Sequence, residues 1–161
     1  MKLQVKIKLT NGAVVPLYAT KGSACFDIVA RDIRYADMGL VVVHTGLFFE
    51  LPVGYKLTVQ PRSSFTGSDW VLQNSPAQID SDYRGELMLK FKFIGKNFFG
   101  QSPTFIYNVG DRCAQGAIEE VIQANFSVVE NLSITDRGTG SFGSTGGFGS
   151  STTVLGQETS K

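Results

Sequence analysis

This 161-residue chain has only two cysteines and one histidine. Cys25 and Cys113 share no CxxC spacing and His44 is the sole imidazole, so a zinc site of the usual kind lacks ligands. A chain of this length buries a core without disulfides, and free thiols in a reducing, cytoplasmic compartment are the expectation. Charge of one sign is lacking too. Fifteen Lys and Arg nearly cancel fourteen Asp and Glu, leaving +1, which argues against a domain that grips nucleic acid by bulk electrostatics. No apolar run approaches the ~18 residues of a membrane span. The opening MKLQVKIKLT alternates and does not form a signal-peptide core. No window of ten or more residues keeps a clean helical period.

What is present is alternation broken by turns. Leu3, Val5, Ile7 and Leu9 face one way and Lys2, Gln4, Lys6 and Lys8 the other, the pattern of a half-buried strand. Leu87, Leu89, Phe91 and Phe93 alternate with Glu86, Met88, Lys90 and Lys92 in the same manner. The runs 40–49, 55–59, 105–109 and 117–121 are rich in β-branched and aromatic residues and read as further strands. Eighteen glycines supply turns, among them Asn11-Gly12, Val53-Gly54 and Gly110-Asp111. One short helical turn is expected near 63–70. The chain therefore reads as all-β, a sandwich or barrel. His44, inside an apolar run, reads as a satisfied core or edge histidine.

From residue 137 the composition changes to Gly, Ser and Thr with few charges. Such a segment cannot bury enough apolar surface to offset its ordering entropy. The expectation is a β domain over 1–136 and a flexible arm over 137–161. Within the arm, 137–146 carries an arginine, a phenylalanine and hydroxyls among glycines, the parts needed to close over a phosphorylated aromatic ligand. The remainder reads as a plain tail.

Three segments could carry chemistry. Gln78 to Gly85 sets two acids around a serine, followed by Tyr83 and Arg84. It is either an ordinary charged hairpin turn or a site where one carboxylate deprotonates a water. Pro61-Arg62-Ser63-Ser64-Phe65 follows a strand and opens the helical turn. It suits phosphate through an arginine fork and two hydroxyls, or is a plain N-cap. Gly110-Asp111-Arg112-Cys113-Ala114-Gln115 joins two strands. Its acid and base read as a structural ion pair at a turn, while Gln115 could donate to a phosphate.

Taken in order, Ser23-Ala24-Cys25-Phe26-Asp27-Ile28, PRSSF at 61–65, IDSDYRGEL at 79–87, GDRCAQ at 110–115 and RGTGSFGSTG at 137–146 resemble the five motifs of the trimeric dUTPase family. The third and fifth are the specific ones. The resemblance implies a distorted jelly-roll or β-barrel homotrimer that hydrolyses dUTP to dUMP and pyrophosphate with Mg²⁺, keeping uracil out of DNA and supplying dUMP for thymidylate synthesis. By the same resemblance, Asp80 activates the water that attacks the α-phosphorus. Tyr83 packs beneath the deoxyribose and rejects a 2′-hydroxyl, and Asn74 hydrogen-bonds uracil. Asp27 holds Mg²⁺ through water, while Arg62, Ser63, Ser64 and Gln115 contact the phosphate chain. In the arm, Arg137 clamps phosphate, Phe142 stacks on uracil, and Ser144 and Thr145 reach the γ-phosphate, so that 137–146 acts as a lid. Each site draws on three subunits, with no nucleic acid or membrane as partner.

The pattern departs from the family at Cys25, Ser64-Phe65, Ala77, Gly116-Ala117 and Ser141. Three alternatives remain. A dCTP deaminase of related fold would release ammonia, a nucleotide-gated interaction protein would use the 95–108 segment or the tail, and a structural jelly roll would bind no dUTP.

Overall fold

Alternating β-branched and aromatic residues build ten strands in the computed structural model, which describes residues 3–36, 39–95 and 103–141. In chain order these are β1 (Lys6–Leu9), β2 (Phe26–Val29), β3 (Asp32–Ala36), β4 (Leu40–His44), β5 (Leu47–Glu50), β6 (Tyr55–Gln60), β7 (Trp70–Leu72), β8 (Ala77–Ile79), β9 (Met88–Phe93) and β10 (Arg112–Glu120). A 3-10 turn, Ser63–Phe65, follows β6. All pairings are antiparallel, in three open sheets ordered β1-β5, β2-β10-β6-β8 and β3-β4-β9-β7. This is the all-β architecture expected. No helix among the described residues is long and apolar enough to cross a membrane.

The period of two decides which side chains go inside. Val41 and Val43 of β4 and Leu89 and Phe91 of β9 are buried from one sheet, Ile28, Leu57 and Val59 from the other. Burying each such side chain stabilises the fold by roughly 1.5–3 kcal/mol. Phe91 is the hub of an aromatic cluster, with ring centroids 5.4 Å from Phe65 and 5.0 Å from Phe105. Trp70 joins it edge-on through Phe93 and Phe105 and donates its indole N–H to the Thr104 carbonyl at 3.2 Å.

Several elements differ from expectation. The run 40–49 is two strands, not one, because the chain turns at Thr45-Gly46. Gly46 has φ +70°, and a Cβ there would meet Arg31 Cδ at 2.7 Å and Ala13 Cβ at 2.8 Å. The buried Thr45 hydroxyl donates to the Leu87 carbonyl at 2.6 Å, so an apolar run is interrupted without exposing an unpaired polar group. Residues 105–109 form no strand. They run as loop with Phe105 buried in the aromatic cluster, where ring packing replaces the missing ladder. The strand placed at 117–121 begins at Arg112 and takes in residues read as a turn.

The compact unit spans Met1–Gln123 and holds every strand above; a second unit spans Ala124–Lys161. In the second unit, Phe126, Val128, Leu132 and Ile134 are almost wholly exposed. A turn follows, in which Gly138 N–H donates to Thr135 O at 3.0 Å and Arg137 Nε donates to Gly140 O at 3.0 Å.

Candidate active site

The first group of candidate residues is brought together by an irregularity in β10. Its register against β2 shifts between Arg112 and Ala114, leaving Cys113 as an extra residue. Cys113 and Ala114 are both buried while Arg112 and Gln115 point outward. Strict alternation from Gln115 would have turned Arg112 into the core; the bulge puts both side chains on the face that carries Asp27. Asp27 is the Cα partner of Gln115 across β2, and Gln60 is its partner across β6.

The carboxylate of Asp27 is gripped from two sides. Arg62 Nε lies 2.9 Å from one oxygen and Arg112 Nη1 lies 3.0 Å from the other. Arg112 was expected to pair with its neighbour Asp111. Instead Asp111 accepts the Asn108 backbone N–H at 2.7 Å, so the adjacent acid and base are not an ion pair. Arg112 is thus a site residue that sequence reasoning missed, since a bulge leaves no mark in hydropathy. Gln115 Nε2 donates to the Pro61 carbonyl at 3.0 Å and pins the start of the next loop.

That loop carries Arg62, Ser63 and Ser64. The expected helical turn is only the three-residue 3-10 turn, too short for a useful macrodipole. Its N-cap is Arg62, with no side-chain cap, so neither serine is consumed by capping. Both serines are exposed, and Arg62 Nη1 reaches Ser64 Oγ at 3.5 Å. Phe65 anchors the turn, stacked on Tyr107 at 5.9 Å with ring planes 10° apart. Two guanidinium groups, one carboxylate and two hydroxyls leave local positive charge beside hydrogen-bond donors, as a polyphosphate requires.

A second group surrounds a cavity of about 270 Å³ between β7, β8 and β9. Asn74, Ile79, Tyr83 and Glu86 are among its lining residues. Asn74 adopts φ +53°, a left-handed conformation that asparagine tolerates better than most residues. Asp80 follows β8 directly and is exposed, and its carbonyl accepts the Tyr83 N–H at 3.2 Å in a tight turn. Tyr83 folds back over Gly85, where a Cβ would collide with its hydroxyl and with Cζ at 2.5 Å. The Tyr83 hydroxyl donates to the Glu86 carbonyl at 3.2 Å. Arg84 stays local, donating to the Ser81 carbonyl at 2.7 Å.

The two groups lie toward opposite ends of β6. Pairing of Leu57 with Ile79 and Val59 with Ala77 sets Asp80 beside Lys56, whereas Arg62 lies beyond the far end at Gln60. At ~3.3 Å per residue, Asp80 and Arg62 of one chain stand roughly 20 Å apart along the sheet. Phe142, Ser144 and Thr145, expected to complete the site from the arm, lie outside the described residues. So do residues 96–102 of the segment considered for a partner, and the tail beyond the arm's first motif.

The dUTPase family model matches residues 11–146. The chain belongs to the dUTPase family. The deoxyuridine 5′-triphosphate nucleotidohydrolase of Bdellovibrio bacteriovorus is 39% identical over 151 residues, covering 90% of this chain and 97% of that protein. Its namesake from Helicobacter pylori strain Shi470 is 39% identical over 150 residues, covering 91% and 97%. A solved structure of the Staphylococcus bacteriophage 80alpha dUTPase with dUpNHpp superposes with TM-score 0.75 at 21% identity, over 89% of this chain and 98% of that one. A variant of the dUTPase from phage phi11 of S. aureus, described with a structural Mg(II) ion, gives 0.67 at 20% identity, over 80% and 98%. At such identities the superpositions speak for the fold.

Packing within the chain accounts for two departures from the dUTPase pattern. A Cβ on Gly116 would meet the Phe26 ring at 2.8 Å and Leu57 Cδ1 at 2.9 Å, so the ring of Phe26 fills the space a bulkier residue would take. Phe65 occupies the aromatic cluster through Phe91 and Tyr107.

Among the described residues no three His, Cys, Asp or Glu side chains gather to hold a metal. Asp27 is the carboxylate at hand, and both its oxygens face guanidinium groups. With both oxygens so engaged, Asp27 alone does not make an inner-sphere site, and a hard cation here would have to draw its inner ligands from elsewhere.

Proposed function

We propose that the chain hydrolyses dUTP between the α- and β-phosphorus, releasing dUMP and pyrophosphate. In doing so it would keep uracil out of DNA and supply dUMP for thymidylate synthesis. The observation that carries this reading is the Asp27–Arg62–Arg112 cluster with its two exposed serines, in a chain whose family includes named dUTP nucleotidohydrolases.

Binding comes first. Arg62, Ser63, Ser64 and Gln115 hold the phosphate chain, and Arg137 from the arm adds a further guanidinium. Asn74 hydrogen-bonds the uracil edge, and a base with mismatched donors leaves a buried group unpaired. The ring of Tyr83 lies beneath the deoxyribose and leaves no room for a 2′-hydroxyl. Asp27 would hold Mg²⁺ through water, and the ion would supply neutralisation of phosphate charge. Asp80 accepts the proton of the attacking water and orients its lone pair toward the α-phosphorus. The segment 137–146 excludes bulk water as a lid, with Phe142 stacked on the base and Ser144 and Thr145 at the γ-phosphate.

The wide separation of Asp80 from Arg62 supports a site shared between copies, in a homotrimer. Asp80→Asn tests the reading: dUTP should still bind while kcat falls about 10²–10⁴-fold, the usual worth of a general base. Unchanged turnover would overturn it.

A further inference from the structure

His44 and Glu86 stand outside the chemistry described so far, yet they are joined to it. His44 ends β4, and its Nδ1 lies 3.0 Å from Glu86 Oε2 with both side chains mostly buried. A carboxylate only accepts, so Nδ1 carries the proton of this bond. The other oxygen, Glu86 Oε1, accepts the backbone N–H of Gly46 at 2.8 Å. Next to it, the Thr45 hydroxyl donates to Leu87 O and the Leu87 N–H donates to Leu47 O at 2.8 Å. The residues preceding β9 are therefore tied to the β4–β5 turn, whose Gly46 has no room for a side chain.

This anchor ends at Tyr83. The Glu86 carbonyl is the acceptor of the Tyr83 hydroxyl, and the ring rests against Gly85 with no Cβ between them. Tyr83 is otherwise substantially exposed, so little packing fixes its ring. Its position follows the Glu86 carbonyl, whose peptide is held by the Leu87 N–H bond to Leu47 O and whose residue is held by the two bonds on the Glu86 carboxylate.

We infer that His44 and Glu86 are positioning residues that hold Tyr83 against the sugar and so set discrimination between a deoxyribonucleotide and a ribonucleotide. The inference rests on the dUTP reading above. Glu86 lines the cavity beside Tyr83 while His44 stands behind it, and neither is asked to move a proton.

The test compares kcat/KM for dUTP and UTP in wild type, His44→Ala, Glu86→Ala, Glu86→Gln and Tyr83→Phe. A merely structural role would lower both nucleotides alike. Positioning predicts that the two alanine variants lower the dUTP-to-UTP ratio by about tenfold or more, chiefly through KM. Glu86→Gln keeps an oxygen for the Gly46 N–H and a polar group for His44, and should retain most of the ratio. Tyr83→Phe alters an exposed position and folds in any case; losing its bond to the Glu86 carbonyl should also lower the ratio. A ratio unchanged in Tyr83→Phe, or in whichever alanine variants fold, overturns the inference. The ¹⁹F resonance of 3-fluorotyrosine at position 83 gives a readout independent of turnover. It should shift and broaden in His44→Ala, and an unmoved resonance also overturns the inference. Wild type inert toward dUTP would instead sink the functional reading, leaving the resonance to decide this one.

Discussion

Arg62 Nε meets Asp27 at 2.9 Å across the gap between the loop after β6 and strand β2, while Arg112 takes the second carboxylate oxygen. The pair fixes the Arg62 guanidinium before any ligand arrives. Asp27→Asn would leave two arginines facing each other without a counter-charge. The side chains are partly exposed, so solvent limits the loss to about 1–2 kcal/mol, below that of a fully buried pair. A urea titration checks this, alongside a raised KM for dUTP. Equal stability would show that the pair is ornamental.

The distance between Asp80 and Arg62 along β6 predicts complementation. Asp80→Asn and Arg62→Ala should each be nearly inactive alone. Mixed by unfolding and refolding together, they should regain activity, since about a quarter of shared sites would draw both intact residues by random assortment. Pyrophosphate release from the mixture measures this. No recovery in verified mixed oligomers would mean that one chain builds its own site.

At the β10–β2 junction, Gly116→Ala should cost about 1–3 kcal/mol, because the Cβ meets the Phe26 ring and Leu57 at distances real contacts do not show. Adding Phe26→Leu should recover part of the loss, as the ring is the obstacle. Thermal melts of the single and double variants decide it.

How much of this was legible beforehand depends on what each residue was asked to do. Leu89 and Phe91 read correctly because one face of β9 is core and the other is not. Thr45-Gly46 did not, because a turn stitched by buried hydrogen bonds looks apolar in sequence. β2, β3, β7 and β8 span only three to five residues, too few for a period to declare itself. Motif order singles out Asp27, Arg62 and Gln115, which the fold sets close together. Arg112 was missed because only the bulge at Cys113 turns it toward Asp27. His44 read correctly as a satisfied histidine, though its partner Glu86 lies 42 residues away and was not foreseen.

The two thiols should behave differently. Burial pushes the Cys113 thiol up to about 12, whereas Cys25 is partly accessible beside Gln60. A disulfide reagent at pH 8 should modify Cys25 in the native protein and reach Cys113 only on unfolding. The raised Cys113 value also carries a sign: the unfolded chain releases this proton near 9 and the folded chain retains it. Stability is therefore whole below pH 9 and falls as pH rises toward 12. Glu86 acts at the other end. Its burial alone would raise the carboxyl, but hydrogen bonds from His44 and Gly46 and the charges of His44 and Arg31 leave it below the ordinary 4.5. Its contribution is present above pH 4.5 and is lost as pH falls through the lowered value. Prompt native reaction of Cys113, or a melting temperature flat across both limits, would contradict this.

The most direct trial of the whole account is pyrophosphate release by the purified chain with Mg²⁺ from dUTP, dTTP, dCTP and UTP in parallel. Fast release from dUTP and little from the other three, with no ammonia from dCTP, is the result predicted. Equal release from all four, or none from dUTP, would contradict it.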